Sequence, residues 1–326
     1  MEKVADWQIG ALGTSQAKTW IEATFYIGLM ATYRTTQQPR FLQHAKSWAK
    51  ANQWTLGPRE GNADDQCAGQ TYLELYAIDR QPNEITPTCM QLDKMITVSQ
   101  PGFGFKIWWW ADALFMAPPA FARMGNITSN TKYFDAMSTM WWDTTQNLYD
   151  ASSSLFFRDA NYVQKTCPNG EKMFWSRGNG WVLAGLARVL EYLPQSHSDR
   201  SKFISLFTAM SKKLAMLQKP DGFWASCLTD AIDYPLPESS GTAAFIYGLA
   251  WGVNHGLLDS ATFLPVIQKG WCALESAVDA NGKLGWVQKV GKAPGPSNQG
   301  DTAPYGVGLF LLAGSEVLPL GGCTAQ

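Results

Sequence analysis

The sequence predicts an all-α fold, six inner helices ringed by about six outer ones in an (α/α)6 barrel that takes up residues 1–326 as a single domain. Three observations predict it. Apolar residues recur at three- and four-residue spacing through ten segments, while strand-like alternation is almost absent. A short polar or aromatic cluster leading into a helix of small and apolar residues occurs five times, at separations of roughly 45 to 65 residues, the length of a helix pair with its connections. No Gly/Ser-rich linker, charge block or shift in composition marks a boundary.

Segment 19–32 is the first inner helix, and 40–52, with His44 and Trp48, is an outer one. The first cluster, Asp65-Gln66-Cys67-Ala68-Gly69-Gln70, opens the helix 70–78, which 84–98 follows. The second, Trp110-Ala111-Asp112-Ala113-Leu114-Phe115, opens the third inner helix; segment 131–148 then carries the charges of an outer one. The third, Trp175-Ser176-Arg177-Gly178-Asn179-Gly180-Trp181, opens 181–193, where Ala184, Gly185 and Ala187 suit close packing, and 200–217 is charged again. The fourth, Glu238-Ser239-Ser240-Gly241-Thr242-Ala243, opens 243–252, and 261–278 follows. The fifth, Gly300-Asp301-Thr302-Ala303-Pro304-Tyr305, opens 307–317. An open solenoid would want capping repeats with polar outer faces, and none is evident, so a closed ring is expected. All five clusters then gather at one mouth, where free N–H groups and positive helix ends favour an anion such as an acidic sugar.

Composition narrows the function. With 26 basic and 27 acidic residues the net charge is −1, which gives no field to recruit nucleic acid or an anionic membrane. No apolar run approaches the roughly 18 residues of a membrane span. The first ten residues, with Glu2, Lys3 and Asp6, do not read as a signal peptide. Compartment stays open, an extracytoplasmic site (periplasmic or secreted, its leader removed) being favoured over the cytoplasm. Cys67, Cys89, Cys167, Cys227, Cys272 and Cys323 are scattered with no CxxC, and buried free thiols are expected rather than disulfides. His44, His197 and His255 have no ligand spacing, and no phosphate loop or GxSxG occurs, so neither metal nor cofactor is expected. Aromatic residues make up 13% of the chain and include 15 Trp, which are either core filler or the walls of a sugar site.

The clusters carry the candidate chemistry. Asp112 follows Trp108-Trp109-Trp110 and precedes an apolar helix, surroundings that desolvate a carboxyl and let it hold a proton near neutral pH, as a general acid does; it is also placed to cap that helix. Asp64 and Asp65 stand at the corresponding point of the preceding repeat, so one of them can face the same sugar while the other caps. In 175–181 an Arg and an amide alternate with Trp: Arg177 suits a carboxylate, and Trp175 and Trp181 suit a sugar face, unless Arg177 pairs with Asp159 or Glu171 and the Trp are packing. Glu238, Asp301 and Tyr305 read first as residues that start helices.

Trp110-Ala111-Asp112-Ala113-Leu114-Phe115-Met116-Ala117-Pro118-Pro119, Phe174-Trp175-Ser176-Arg177-Gly178-Asn179-Gly180-Trp181-Val182, Gln218-Lys219-Pro220-Asp221-Gly222-Phe223-Trp224 and the stretch from Tyr305 to Glu316 carry a resemblance. Over most of its length the chain resembles the unsaturated glucuronyl and rhamnogalacturonyl hydrolases of glycoside hydrolase families 88 and 105. The resemblance implies an (α/α)6 barrel acting on the unsaturated oligosaccharides left by polysaccharide lyases. One Asp protonates C4 of the vinyl ether, water adds at C5, and the hemiketal collapses with loss of the aglycone. It makes Asp112 the general acid/base and Asp65 the second carboxylate, in a register that the adjacent Asp64 leaves open by one. Trp110, Trp175, Arg177 and Trp181 match positions that line the sugar site in that family, and from the residues themselves Asp64, Trp109, Asn179 and Trp224 are expected to bind the sugar beside them. Where some rhamnogalacturonyl members have a His, this chain has Leu155-Phe156-Phe157-Arg158-Asp159, so Arg158 is a candidate for the uronate carboxylate or a partner of a nearby acid.

Overall fold

The computed structural model describes residues 1–98 and 100–323. Among them the helices run α1 (Glu2–Leu12), α2 (Trp20–Thr36), α3 (Pro39–Ala51), α4 (Ala63–Gln66), α5 (Ala68–Asp79), α6 (Pro82–Val98), α7 (Gly104–Ile107), α8 (Ala113–Met116) and α9 (Pro118–Thr128). After α10 (Lys132–Leu148) comes a two-stranded hairpin, β1 (Tyr149–Asp150) and β2 (Leu155–Phe156). The chain ends with α11 (Ser176–Leu190), α12 (Arg200–Met216), α13 (Ser239–Asn254), α14 (Ser260–Ser276) and α15 (Pro304–Val317).

Helices α2, α5, α9, α11, α13 and α15 each pack on the next, and α15 packs back on α2, which closes an inner ring of six. The alternating helices α3, α6, α10, α12 and α14 lie outside it, and α1, packed on α15 and α2, supplies the sixth outer element. The fold is an (α/α)6 barrel. Close packing inside follows from the missing side chains at the contacts: a Cβ on Gly28 of α2 would lie 2.3 Å from the Gly308 carbonyl oxygen of α15. Trp48, Trp108, Trp141, Trp175, Trp181 and Trp224 are all essentially buried, so much of the aromatic excess is core.

Two elements differ from the periodic reading. The charged first residues form α1, which buries only Val4, Ala5 and Gln8, too narrow an apolar face to stand out. The third inner helix is interrupted: α8 is a single turn, and Pro118 and Pro119 restart the chain as α9, because proline has no N–H to continue a helix but suits its first turn.

The expectation of free thiols is corrected for four of the six cysteines: Cys167 bonds Cys227 and Cys272 bonds Cys323, while Cys67 and Cys89 are free. The pairs are 60 and 51 residues apart, close to one repeat, so the ring brings together cysteines that look scattered along the chain.

Candidate active site

Asp112 stands immediately before α8, yet its side chain makes no capping hydrogen bond. Capping is therefore not what keeps it there. Its Oδ2 is buried without a hydrogen-bond partner, and Arg158 Nε stands 3.7 Å from it. Burial raises the Asp112 carboxyl pKa above its ordinary value, against the opposing charges of Arg158 and Arg177.

The backbone explains how Arg158 comes to this place. Asn179, in the first turn of α11, grips β2 from both sides: its Oδ1 accepts from Phe156 N–H at 2.7 Å and its Nδ2 donates to the Phe156 carbonyl at 3.0 Å. The strand leaving the hairpin then runs beside the segment before Asp112, with a bridge between Trp110 and Asp159 and a bond from Ala111 N–H to the Arg158 carbonyl at 2.8 Å. Arg158 Nη1 donates to Asp159 Oδ2 at 2.6 Å, and the guanidinium lies over the Trp109 ring, 5.3 Å from its centroid. Trp109 is 44% exposed and leans on the buried Trp110, so one aromatic wall is open to a ligand beside the Asp112–Arg158 pair.

Asp64 and Asp65 part company. Asp65 is buried and committed to its own loop, accepting from Arg59 N–H at 2.7 Å and from the Arg59 guanidinium at 2.5 Å. Asp64 carries no side-chain hydrogen bond among the described residues. Its pKa is pushed up to about 6, first by burial and then by the like charge of Asp112, with Arg59 opposing. The charge of Asp112 is thus felt at Asp64, whereas Asp65 is taken up by Arg59; Asn62, whose side chain accepts from Asp64 N–H, is the cap of α4.

The 175–181 cluster divides in the same way. Trp175 Nε1 donates to Gln288 Oε1 at 2.8 Å. Arg177 donates to the carbonyls of Gln288 at 2.8 Å and Lys289 at 3.0 Å, between the rings of Trp175 and Tyr305, and pairs with neither Asp159 nor Glu171. It is 1% exposed, so it reaches Asp112 as a buried positive charge rather than as an open hand. Asn179 is fully buried on backbone groups, a positioning residue rather than the sugar contact expected of it. Trp181 is fully buried against Trp20, Phe115 and Tyr305, beneath the mouth. Trp224 is removed from the site altogether: it is buried, its Nε1 donates to the Leu214 carbonyl of α12 and its ring meets Phe245 of α13, so it joins an outer helix to an inner one. Glu238 is a cap, its carboxylate accepting from Ser240 N–H and Gly241 N–H.

Two residues of the mouth were missed. Trp20, half-buried at the start of α2 and 5.0 Å from Tyr305, is the aromatic residue that opens the first repeat, and its place beside Thr19 was the available signal. Gln288, 5% exposed, ties Trp175, Arg177 and Tyr305 together from a loop with no periodicity to mark it.

Comparison with known proteins fits this geometry. The family model described as Glycosyl Hydrolase Family 88 matches residues 1–320. An unsaturated 3S-rhamnoglycuronyl hydrolase of Alteromonas sp. (strain LOR) is 37% identical, covering 97% of this chain and 84% of its own. A glycosyl hydrolase family 88 structure from Bacteroides vulgatus superposes with a TM-score of 0.91 at 31% identity, covering 98% of this chain and 97% of its own. A structure described as a polysaccharide lyase does so with a TM-score of 0.92 at 33% identity, covering 100% and 97%.

Proposed function

The chain belongs to glycosyl hydrolase family 88, and on that premise we propose that it removes a 4,5-unsaturated uronic acid from the non-reducing end of lyase-generated oligosaccharides, with Asp112 as general acid and base and rhamnose as the preferred aglycone. The observation that carries the reading is the Asp112 carboxyl: buried, unbonded to its own helix, raised in pKa, and set beside Arg158 and the open face of Trp109. A carboxyl that holds its proton can deliver it to C4 of the vinyl ether. The resulting cation at C5, stabilised by the ring oxygen, takes a water whose proton returns to the Asp112 carboxylate. The hemiketal opens to a C5 ketone, and the hemiacetal left at C1 releases the aglycone as an alcohol. Overall, one water is consumed and the carboxyl is regenerated.

Arg158 is the residue for the uronate carboxylate, since its Nε has no hydrogen-bond partner and faces the same space as Asp112. Binding an anion there offsets the guanidinium charge that otherwise lowers the Asp112 pKa, so the substrate helps to keep its own acid protonated. Asp112 in turn raises the pKa of Asp64, which carries no side-chain hydrogen bond among the described residues and is free to take sugar hydroxyls. The two disulfides support an extracytoplasmic location.

The likeness to a structure described as a lyase gives a second reading, and one assay separates the two. A lyase creates the conjugated double bond and raises absorbance near 235 nm; the proposed hydration abolishes it. With unsaturated uronyl-rhamnose, bearing a 3-sulfate or not, absorbance falls, and Asp112→Asn lowers kcat by about 10²- to 10⁴-fold while substrate still binds. Rising absorbance on intact polysaccharide, or normal turnover by Asp112→Asn, would overturn the assignment.

A further inference from the structure

At the end of the barrel opposite the mouth, where the inner helices terminate, lies a cavity of about 450 Å³, within the roughly 300–1,000 Å³ of small-molecule sites. Arg34 of α2, Arg123 of α9 and Arg188 of α11 reach it, together with Glu74 of α5. Glu74 is shared, paired with Arg34 and, at 3.3 Å, with Arg123. Arg188 has no such partner: it is 5% exposed, its Nε donates to Gln70 Oε1, and among the described residues its terminal nitrogens meet neither a carboxylate nor a carbonyl. Arg34 is the exposed member of the three, its side chain 49% open to solvent, and stands at the rim of the cavity.

Cations do suit helix C-termini, but none of these three donates a hydrogen bond to a helix-end carbonyl among the described residues, so helix capping does not account for them. A buried guanidinium whose fork is unfilled and opens on a cavity calls for a planar anion. The far wall has a different chemistry. Glu191 and Glu316 are engaged by Trp251 Nε1 and Asn254 Nδ2, and their remaining acceptor capacity, with the Tyr247 hydroxyl, suits hydroxyl groups beside the Trp251 ring.

We propose that this cavity binds a sugar acid of monosaccharide size, its carboxylate on Arg188 and Arg123 and its hydroxyls toward Glu191 and Glu316. The site is separate from the mouth and does not depend on the reaction proposed there. The test is calorimetric titration of the intact enzyme with glucuronate, acetate and glucose, with crystals soaked in glucuronate. Glucuronate is expected to bind in Arg158→Ala, which lacks the guanidinium of the mouth, and to bind at least about tenfold more weakly when Arg188→Met is added. Glucose, lacking the carboxylate, is expected to give no heat, and acetate, lacking the hydroxyls, to bind more weakly. If Arg188→Met does not fold, as shown by its circular dichroism, Arg188→Lys keeps the charge without the fork and is expected to weaken glucuronate in the same direction. Unchanged glucuronate affinity in the Arg188 variant, or soaked crystals with no sugar acid at Arg188, would overturn the proposal.

Discussion

Two carboxyl groups, Asp112 and Asp64, are held above their ordinary pKa, and the like charge of Asp112 adds to the rise at Asp64. Burial is the first cause for both, which makes the ionised form the costly one. The consequence for stability has a definite sign. Below the unfolded value of 3.8 both states of Asp64 are protonated and nothing is lost; as pH rises toward about 6 the unfolded chain ionises first, and stability falls. Above that range the cost is about 1 to 3 kcal/mol, after discounting for partial screening. Asp64→Asn should therefore raise Tm by a few degrees at pH 8 and leave it unchanged near pH 3.5. Asp65→Asn should lower Tm at pH 8, because it weakens the grip on Arg59 that orders the preceding loop. Thermal unfolding of the two variants at both pH values checks the register, and a matching response from both would count against the influence of Asp112 at Asp64.

The hairpin β1–β2 and the first turn of α11 form the element on which the site turns. Its residues were legible in the sequence as special; their division of labour was not. Asp112, Arg158 and Trp109 could be picked out because charge and aromatic residues crowd a helix start. Asn179, Trp181 and Trp224 share that crowding, but only tertiary structure shows that their polar atoms or rings face inward, since burial depends on what comes opposite them. The barrel itself was legible because its repeat is carried by small residues at inner contacts, whereas α1 and the Pro118 break in the third inner helix follow from neighbours and ring closure. A contrast between two variants tests this division. Asn179→Ala strips two buried backbone groups of Phe156 of their partners, at about 1 to 3 kcal/mol each, and frees the strand that carries Arg158. It should raise KM and lower kcat/KM by about ten- to a hundredfold, the loss being larger for substrates with the uronate carboxylate than for its methyl ester. Trp224→Phe, though a larger change in volume, should cost about 1 to 3 kcal/mol of stability and leave kcat/KM within about threefold. If both variants lost stability alone, the hairpin would have no part in placing Arg158.

A ring of helix pairs closes only where its last helix meets its first, and here α15 lies on α2 through glycine contacts that bury no large side chain at the nearest approach. The disulfides brace two different parts of that ring. Cys272–Cys323 ties outer helix α14 to the chain just beyond α15, next to the seam, whereas Cys167–Cys227 joins the segments that lead into α11 and α13, which form the mouth. Closing loops of 60 and 51 residues removes enough chain entropy from the unfolded state to be worth about 4 kcal/mol each in the loop-entropy account, an upper figure. Their loss should differ in kind. The Cys272→Ser/Cys323→Ser protein should lose Tm by several degrees with kcat and KM unchanged, because nothing in the mouth rests on that bond. The Cys167→Ser/Cys227→Ser protein should lose a similar amount of Tm and also raise KM, since Ser176 N–H is bonded to the Ser226 carbonyl beside Cys227 and the entrance to α11 moves with it. Thiol reduction of the unmodified enzyme should reproduce the sum of both Tm losses. Equal kinetic effects from the two pairs would mean that the seam and the mouth behave as one cooperative unit rather than as separately braced parts of the barrel.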